Sequence, residues 1–171
     1  MIPMDLYILR HAIAVERGTI GYETDSTRPL TGEGAKKMHQ NALGMKALDL
    51  SFDIVLSSPL LRAKQTAEIV CKVFKIKQNS IISTKNLVPD ASFQDLLIEI
   101  NAHGKNIKSV LLVGHEPHLS ELISFLLTSK QTLPLILKKG GLCHLITGST
   151  PKAGSATIDW LLTPSQLRLI K

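Results

Sequence analysis

The sequence predicts an α/β fold: a three-layer α/β/α sandwich with a mostly parallel central sheet. Two observations lead there. Apolar runs of strand length alternate along the chain with helix-period stretches, the pattern of strand–helix–strand units. Three of these runs, Leu6-Tyr7-Ile8-Leu9, Ile54-Val55-Leu56 and Val110-Leu111-Leu112-Val113, are almost continuously apolar, as central strands covered on both faces are. With 171 residues, 44% hydrophobic and 20% charged, the chain is expected to form one domain over 1–171 around a substantial core.

Strands are expected at about 5–10, 53–57, 80–83, 108–113, 142–147 and 156–162, with helices at about 31–47, 59–75, 92–102 and 117–128. Thr31 is placed to cap the first helix, with Glu33 in its opening turn and Ala35, Met38, Ala42 and Met45 recurring at spacings of three and four. Ser58-Pro59 reads as an N-cap followed by proline at the first helical position. Behind it, Leu60, Ala63, Ala67, Val70 and Phe74 form a stripe directed at the sheet. Pro117 is expected to open the last of these helices in the same way, with Leu119, Leu122, Ile123 and Leu126 inward. Residues 12–30 read as a polar loop without a period. Gly148 to Gly154 reads as the loop of a hairpin.

Composition narrows the function classes. The net charge is +6, with lysine in excess at Lys36-Lys37, Lys72, Lys75, Lys77, Lys105, Lys108 and Lys138-Lys139. Such a surface attracts anionic substrates. Aromatic residues make up only 4% and do not interleave with the basic ones, which argues against nucleic-acid binding. Cys71 and Cys143 fit no metal or redox spacing and suggest buried thiols in a reducing compartment. The start, Met1-Ile2-Pro3-Met4-Asp5, lacks the basic region of a signal peptide, and no apolar run is long enough to cross a bilayer. A cytoplasmic protein without a membrane partner is expected.

Three strand ends carry the chemistry. Arg10-His11 follows the first strand, Ser57-Ser58 and then Arg62 follow the second, and Gly114-His115 follows the fourth. Ligands in open α/β sheets bind beyond these carboxyl ends. A single strand-end histidine is usually a structural hydrogen bonder, but four cationic or imidazole groups at three such ends describe a phosphate pocket. Arg10 and Arg62 offer planar, bidentate donors. The N-terminus of the helix after Ser58 offers backbone N–H groups. His11 is then the expected nucleophile, neutral and with its tautomer fixed by a carbonyl on its other nitrogen. His115 is expected to be cationic or at least a donor to a phosphate oxygen.

These residues resemble a known family. Leu9-Arg10-His11-Ala12 is similar to the Arg-His-Gly signature of the histidine phosphatase superfamily, whose fold is phosphoglycerate-mutase-like. Ser57-Ser58-Pro59-Leu60-Leu61-Arg62-Ala63-Lys64-Gln65-Thr66-Ala67 resembles its second motif and Val113-Gly114-His115-Glu116-Pro117 its third. The segment from Ser26 through Arg28 to Gly34 also fits, and the likeness runs from about residue 5 to 165. Chain length and the ending Thr157 to Pro164 are most similar to the small phosphohistidine phosphatase branch. That resemblance implies a metal-free hydrolase without a cofactor, with His11 as phospho-acceptor and Arg10, Arg62 and His115 on the phosphate. Arg28 would be a rim cation, and Ser58 a further phosphate contact.

Two departures matter. Ala12 stands where the family has glycine, which is expected to narrow the pocket. The short span from Phe74 to Phe93 leaves no room for the large lid, bearing a glutamate acid, of bigger members. Glu116 is the candidate acid, with a helix-start carboxylate as the alternative role; Asp90 is the weaker candidate. A labile phosphoimidazole needs less acid assistance than an alkyl phosphate. The leading expectation is therefore a phosphatase acting on phosphohistidine in a phosphorelay-type protein, a histidine phosphotransfer domain being one such partner. The others are a small-molecule phosphomonoesterase of the same mechanism, acting on phosphorylated metabolites, and a non-catalytic phosphate- or phosphoprotein-binding module. His115-Glu116-Pro117-His118 is not read as a zinc site, because no third ligand stands at a suitable spacing. His118 is expected on the helix surface near the pocket mouth, and His39, His103 and His144 are read as structural or exposed.

Overall fold

The computed structural model describes residues 3–104 and 106–170. Met1, Ile2 and Lys171 at the ends of the expected domain, and Lys105 of the lysine series, lie outside the described residues. Six strands form one mixed sheet: β1 (Met4–Arg10), β2 (Ile54–Ser57), β3 (Ile81–Ser83), β4 (Ser109–Gly114), β5 (Leu142–Thr147) and β6 (Thr157–Leu162), in the order β3-β2-β4-β1-β5-β6. The strands from β3 to β1 are parallel, whereas β5 runs antiparallel to β1 and pairs with β6 as the expected hairpin. The three continuously apolar runs are the three central strands β2, β4 and β1.

Side chains alternate between two cores, as the strand period of two requires. Leu6, Ile8, Leu56, Val110 and Leu112 point to one face and pack on α3 (Phe93–Ala102) and α4 (His118–Thr128). Tyr7, Leu9, Val55, Leu111 and Val113 point to the other and meet α1 (Gly32–Ala47), α2 (Leu61–Phe74) and, through Leu167, the short α5 (Pro164–Leu167). Removing any one fully buried leucine of these clusters would cost about 2–5 kcal/mol.

Local signals explain most boundaries. The Thr31 hydroxyl accepts the Gly34 N–H at 2.9 Å and opens α1. Gly34 itself packs so close to the Ile13 carbonyl that a Cβ would stand only 2.0 Å from its oxygen, so glycine lets α1 lie against the chain just after His11.

Two helix starts differ from the sequence reading. α2 opens at Leu61 rather than Pro59, with Leu60 as an extended N-cap residue that makes no side-chain cap. The Ser58 hydroxyl is engaged instead by His115 and by the Leu60 N–H, so it caps no helical turn. Pro117 is the N-cap residue of α4, one place before the helix. His118 is also not on the surface: it is 1% exposed, its ring centroid 5.0 Å from that of Phe93. The first turn of α4 faces α3 there, which turns the imidazole inward. Among the described residues no helix is long and apolar enough to cross a membrane.

Candidate active site

Parallel register sets the site before any side chain is considered. Arg10 pairs with Gly114 and Ser57 with Val113, so β1, β2 and β4 end level with one another. The ladder then continues one step: the His11 N–H donates to the Gly114 carbonyl and the Ser58 N–H to the Val113 carbonyl, both at 3.0 Å. His11, Ser58 and His115 are thereby delivered side by side. The His11 and His115 ring centroids lie 5.0 Å apart.

His11 is held in one tautomer. Its Nδ1 donates to the Ala12 carbonyl at 2.7 Å, and its Nε2 accepts from Arg62 Nε at 3.3 Å. Burial lowers its pKa to about 3; the Ala12 carbonyl opposes this, and Arg62, Arg10 and Lys139 add to it. The ring is therefore neutral at physiological pH, with its lone pair on Nε2.

His115 is likewise lowered to about 3, by burial first and then by His11 and Arg62. The cationic state expected for it is disfavoured, and the ring is neutral. Its Nε2 lies 2.8 Å from the Ser58 hydroxyl, which already accepts from the Leu60 N–H. Its Nδ1 is buried and has no protein partner among the described residues.

The guanidinium groups are anchored from behind. Arg10 donates through Nη1 to the Leu137 carbonyl at 2.9 Å. Arg62, only 3% exposed, donates through Nη2 to Asp25 Oδ2 at 2.9 Å and through Nη1 to the Asp25 carbonyl at 2.8 Å. Arg28 and Arg17 also bind the Asp25 carboxylate, at 2.6 and 3.0 Å. Burial pushes the Asp25 carboxyl up, but hydrogen bonds from Arg28, Arg17 and Arg62 outweigh it and hold the group well below the usual carboxylate range. Burial lowers both Arg10 and Arg62, yet guanidinium remains a cation at neutral pH.

These groups line a cavity of about 430 Å³ that includes Arg10, His11, Arg28, Arg62, His115 and Glu116. Asp90 and Lys139 line it as well. Glu116 Oε1 accepts the Ser120 N–H at 3.1 Å in the first turn of α4, and the residue also lines the cavity. Burial raises its pKa; the Ser120 hydrogen bonds and Arg10 oppose the shift. Ser58 lies behind His115 and does not line this cavity. Ala12 does not narrow it either; that residue faces the α1–α2 core and lines a neighbouring cavity. Among the described residues, no three His, Cys, Asp or Glu side chains group as metal ligands.

The chain is similar to known proteins. A model of the histidine phosphatase superfamily (branch 1) matches residues 6–87. The phosphohistidine phosphatase SixA of Escherichia coli strain K12 is 25% identical over 170 residues, covering 98% of this chain and 99% of that protein. The chain belongs to the histidine phosphatase superfamily, in its SixA-like branch. A solved structure of the protein histidine phosphatase SixA complexed with tungstate superimposes with a TM-score of 0.83 at 25% identity, covering 96% of this chain and 99% of that one. An uncharacterised protein of Picosynechococcus sp. is 33% identical over 147 residues, covering 85% of this chain and 87% of that one. The fold is phosphoglycerate-mutase-like.

Within this histidine phosphatase, sequence reasoning missed the residues that hold the arginines and the loop. Asp25 lies in a stretch that reads only as a polar loop, one residue before the segment from Ser26 to Gly34. Thr66, whose hydroxyl accepts the Ala12 N–H at 3.1 Å and donates to the Arg62 carbonyl at 2.7 Å, stood in the second motif without an assigned role. Leu137 contributes only a carbonyl, which no side-chain pattern announces.

Proposed function

We propose that this histidine phosphatase hydrolyses phosphohistidine on a protein, with His11 carrying the phosphoryl group between substrate and water. One observation supports this above the rest: His11 is a neutral imidazole whose Nδ1 proton is tied to Ala12 and whose Nε2 lone pair faces Arg62. In the first step Nε2 attacks phosphorus and the bond from phosphorus to the leaving nitrogen breaks. The electron pair stays with that nitrogen, which is protonated. In the second step water attacks phosphorus, the bond to Nε2 breaks and inorganic phosphate leaves. Arg10 and Arg62 hold the non-bridging oxygens, where charge accumulates. His115 is the further donor to a phosphate oxygen, with Ser58 as its positioning residue. Arg28 supplies the rim charge.

Glu116 is assigned as proton donor to the leaving group, because burial favours its protonated form; Asp90 faces the same space from the opposite loop. Between α2 and α3 the chain holds only β3 and two short 3-10 turns, so the cavity lacks a large inserted lid. An uncovered phosphoryl pocket suits a phosphorylated side chain on a protein surface. The two buried free thiols, Cys71 and Cys143, fit a reducing, cytoplasmic setting.

The raised Glu116 carboxyl also favours a second reading, hydrolysis of small phosphomonoesters, since an alkoxide leaving group needs a proton. Incubation with a phosphohistidine-bearing protein and with sugar and aryl phosphates, with and without EDTA, separates the two. Phosphohistidine is expected to be preferred and EDTA to have no effect. Faster hydrolysis of alkyl phosphates would move the assignment to the small-molecule reading. No turnover with phosphate still bound would make the protein a binding module.

A further inference from the structure

Beside the phosphoryl pocket lies a second cavity of about 210 Å³, lined by Ala12, Lys37, Asn41, Lys139, Gly140 and Arg168 among others. The two cavities share Lys139. They are also joined through the backbone, because the Gly140 N–H donates to the His11 carbonyl at 3.2 Å. Three cations from three separate elements converge here: Lys37 from α1, Lys139 from the loop before β5, and Arg168 just after α5. No acidic residue lines the cavity among the described residues; Lys37 pairs with Glu33 on the exposed side of α1.

The cavity has a buried polar scaffold. Asn41, 2% exposed, donates from Nδ2 to the Gly140 carbonyl at 3.0 Å and accepts at Oδ1 from Arg168 Nη1 at 3.0 Å. One amide therefore fixes both the loop that borders His11 and the guanidinium that faces the second cavity. Gly140 has φ +78°, and a Cβ there would stand 2.8 Å from Asn41 Nδ2, so this close approach requires glycine. Partly sheltered cations without a lining carboxylate favour an anionic guest.

We propose that this cavity is a second anion subsite, taking an acidic side chain that flanks the phosphorylated residue of a protein substrate. The inference rests on the phosphatase reading above and extends it from the phosphoryl group to its surroundings. A substrate that presents a carboxylate next to its phosphoryl group engages both cavities at once. A neutral neighbour engages only the first.

The test uses the full chain and its K37Q/R168Q variant, with phosphohistidine peptides flanked by Glu or by Gln, and an aryl phosphate as the small reference. For a charge-assisted contact of ordinary strength, the wild type should prefer the Glu-flanked peptide by about tenfold in kcat/KM, through KM. The variant should lose that preference while aryl phosphate turnover changes by less than about threefold, as expected for removing only a contact to the flanking group. Lys37→Gln alone, at a side chain 42% exposed, serves as a second variant that leaves the Asn41–Arg168 bond in place and should lose part of the preference. Equal treatment of both peptides by the wild type, an unchanged preference in the variants, or collapse of aryl phosphate turnover would each overturn the subsite. If the wild type hydrolyses none of these substrates, the phosphatase reading fails instead. Calorimetry with inorganic phosphate then decides the subsite: two equivalents bound by the wild type and one by K37Q/R168Q support it, and one by both overturns it.

Discussion

Asp25 and Arg62 are joined twice, once through the carboxylate at 2.9 Å and once through the Asp25 backbone carbonyl at 2.8 Å. The same carboxylate binds Arg28 and Arg17. A loop residue thus aligns the guanidinium that faces the His11 lone pair, and it offsets part of the repulsion among three neighbouring cations.

Asp25→Asn keeps the shape but removes the charge. Losing charge-assisted hydrogen bonds of about 1.5–3 kcal/mol predicts a fall in kcat/KM of about 10–100-fold. Steady-state kinetics on an aryl phosphate, with circular dichroism as a fold control, measures it. Activity within twofold of the wild type would show that Arg62 is placed without Asp25.

His11→Ala should abolish turnover, by at least about a thousandfold as for other covalent nucleophiles, while the sheet still forms. Wild type quenched in alkaline denaturant should carry alkali-stable, acid-labile phosphate after a brief exposure to substrate, and the variant should carry none. Ordinary turnover in His11→Ala would remove the nucleophile assignment.

Ser58→Ala leaves His115 Nε2 buried without its 2.8 Å partner. An unsatisfied buried polar atom costs about 1–3 kcal/mol, so thermal stability should drop. Because the ring also loses the hydroxyl that orients it, kcat should fall more than KM rises. A change in KM alone would indicate that Ser58 touches substrate rather than orienting His115.

Stability should depend on acid in a defined window. His11 and His115 are lowered to about 3 and His118 to about 4, each from 6.5 and each chiefly by burial. The unfolded chain therefore binds protons that the folded chain refuses, and stability rises with pH across this range. It is fully present above about pH 6.5 and is lost as pH falls toward about 3–4. Melting temperatures between pH 7 and pH 4 measure the slope, and a flat profile would mean that these imidazoles are protonated in the native state.

Glu116→Gln removes the assigned proton donor but keeps an oxygen for the Ser120 N–H. Alkyl phosphate hydrolysis should fall by about 10²–10⁴-fold, the usual weight of general acid catalysis, and phosphohistidine hydrolysis much less. Equal losses on both substrates would assign Glu116 to structure rather than proton transfer.

Much of the site was legible in the chain. Runs such as Leu6 to Leu9 and Val110 to Val113 announce buried parallel strands, and the residue following such a run stands at the sheet's carboxyl edge. Arg10, His11 and His115 are therefore placed by short local patterns. Arg62 follows from the strand-to-helix turn after Ser57. The capping of α1 by Thr31 is equally local.

Other features depend on partners far apart in sequence. The bond of Asp25 to Arg62 spans 37 positions and that of Asn41 to Arg168 spans 127, and neither sits in a periodic pattern. Ser58 reads as a helix cap until His115 is seen beside it, and His118 reads as exposed until α3 covers it. The strand and helix periods arise from backbone geometry and repeat along the chain, so the sequence by itself determined the fold class and which residues stand at the strand ends. Which hydroxyl, carboxylate or carbonyl meets each cation depends on how loops pack across the sheet edge, and only the tertiary structure decided that.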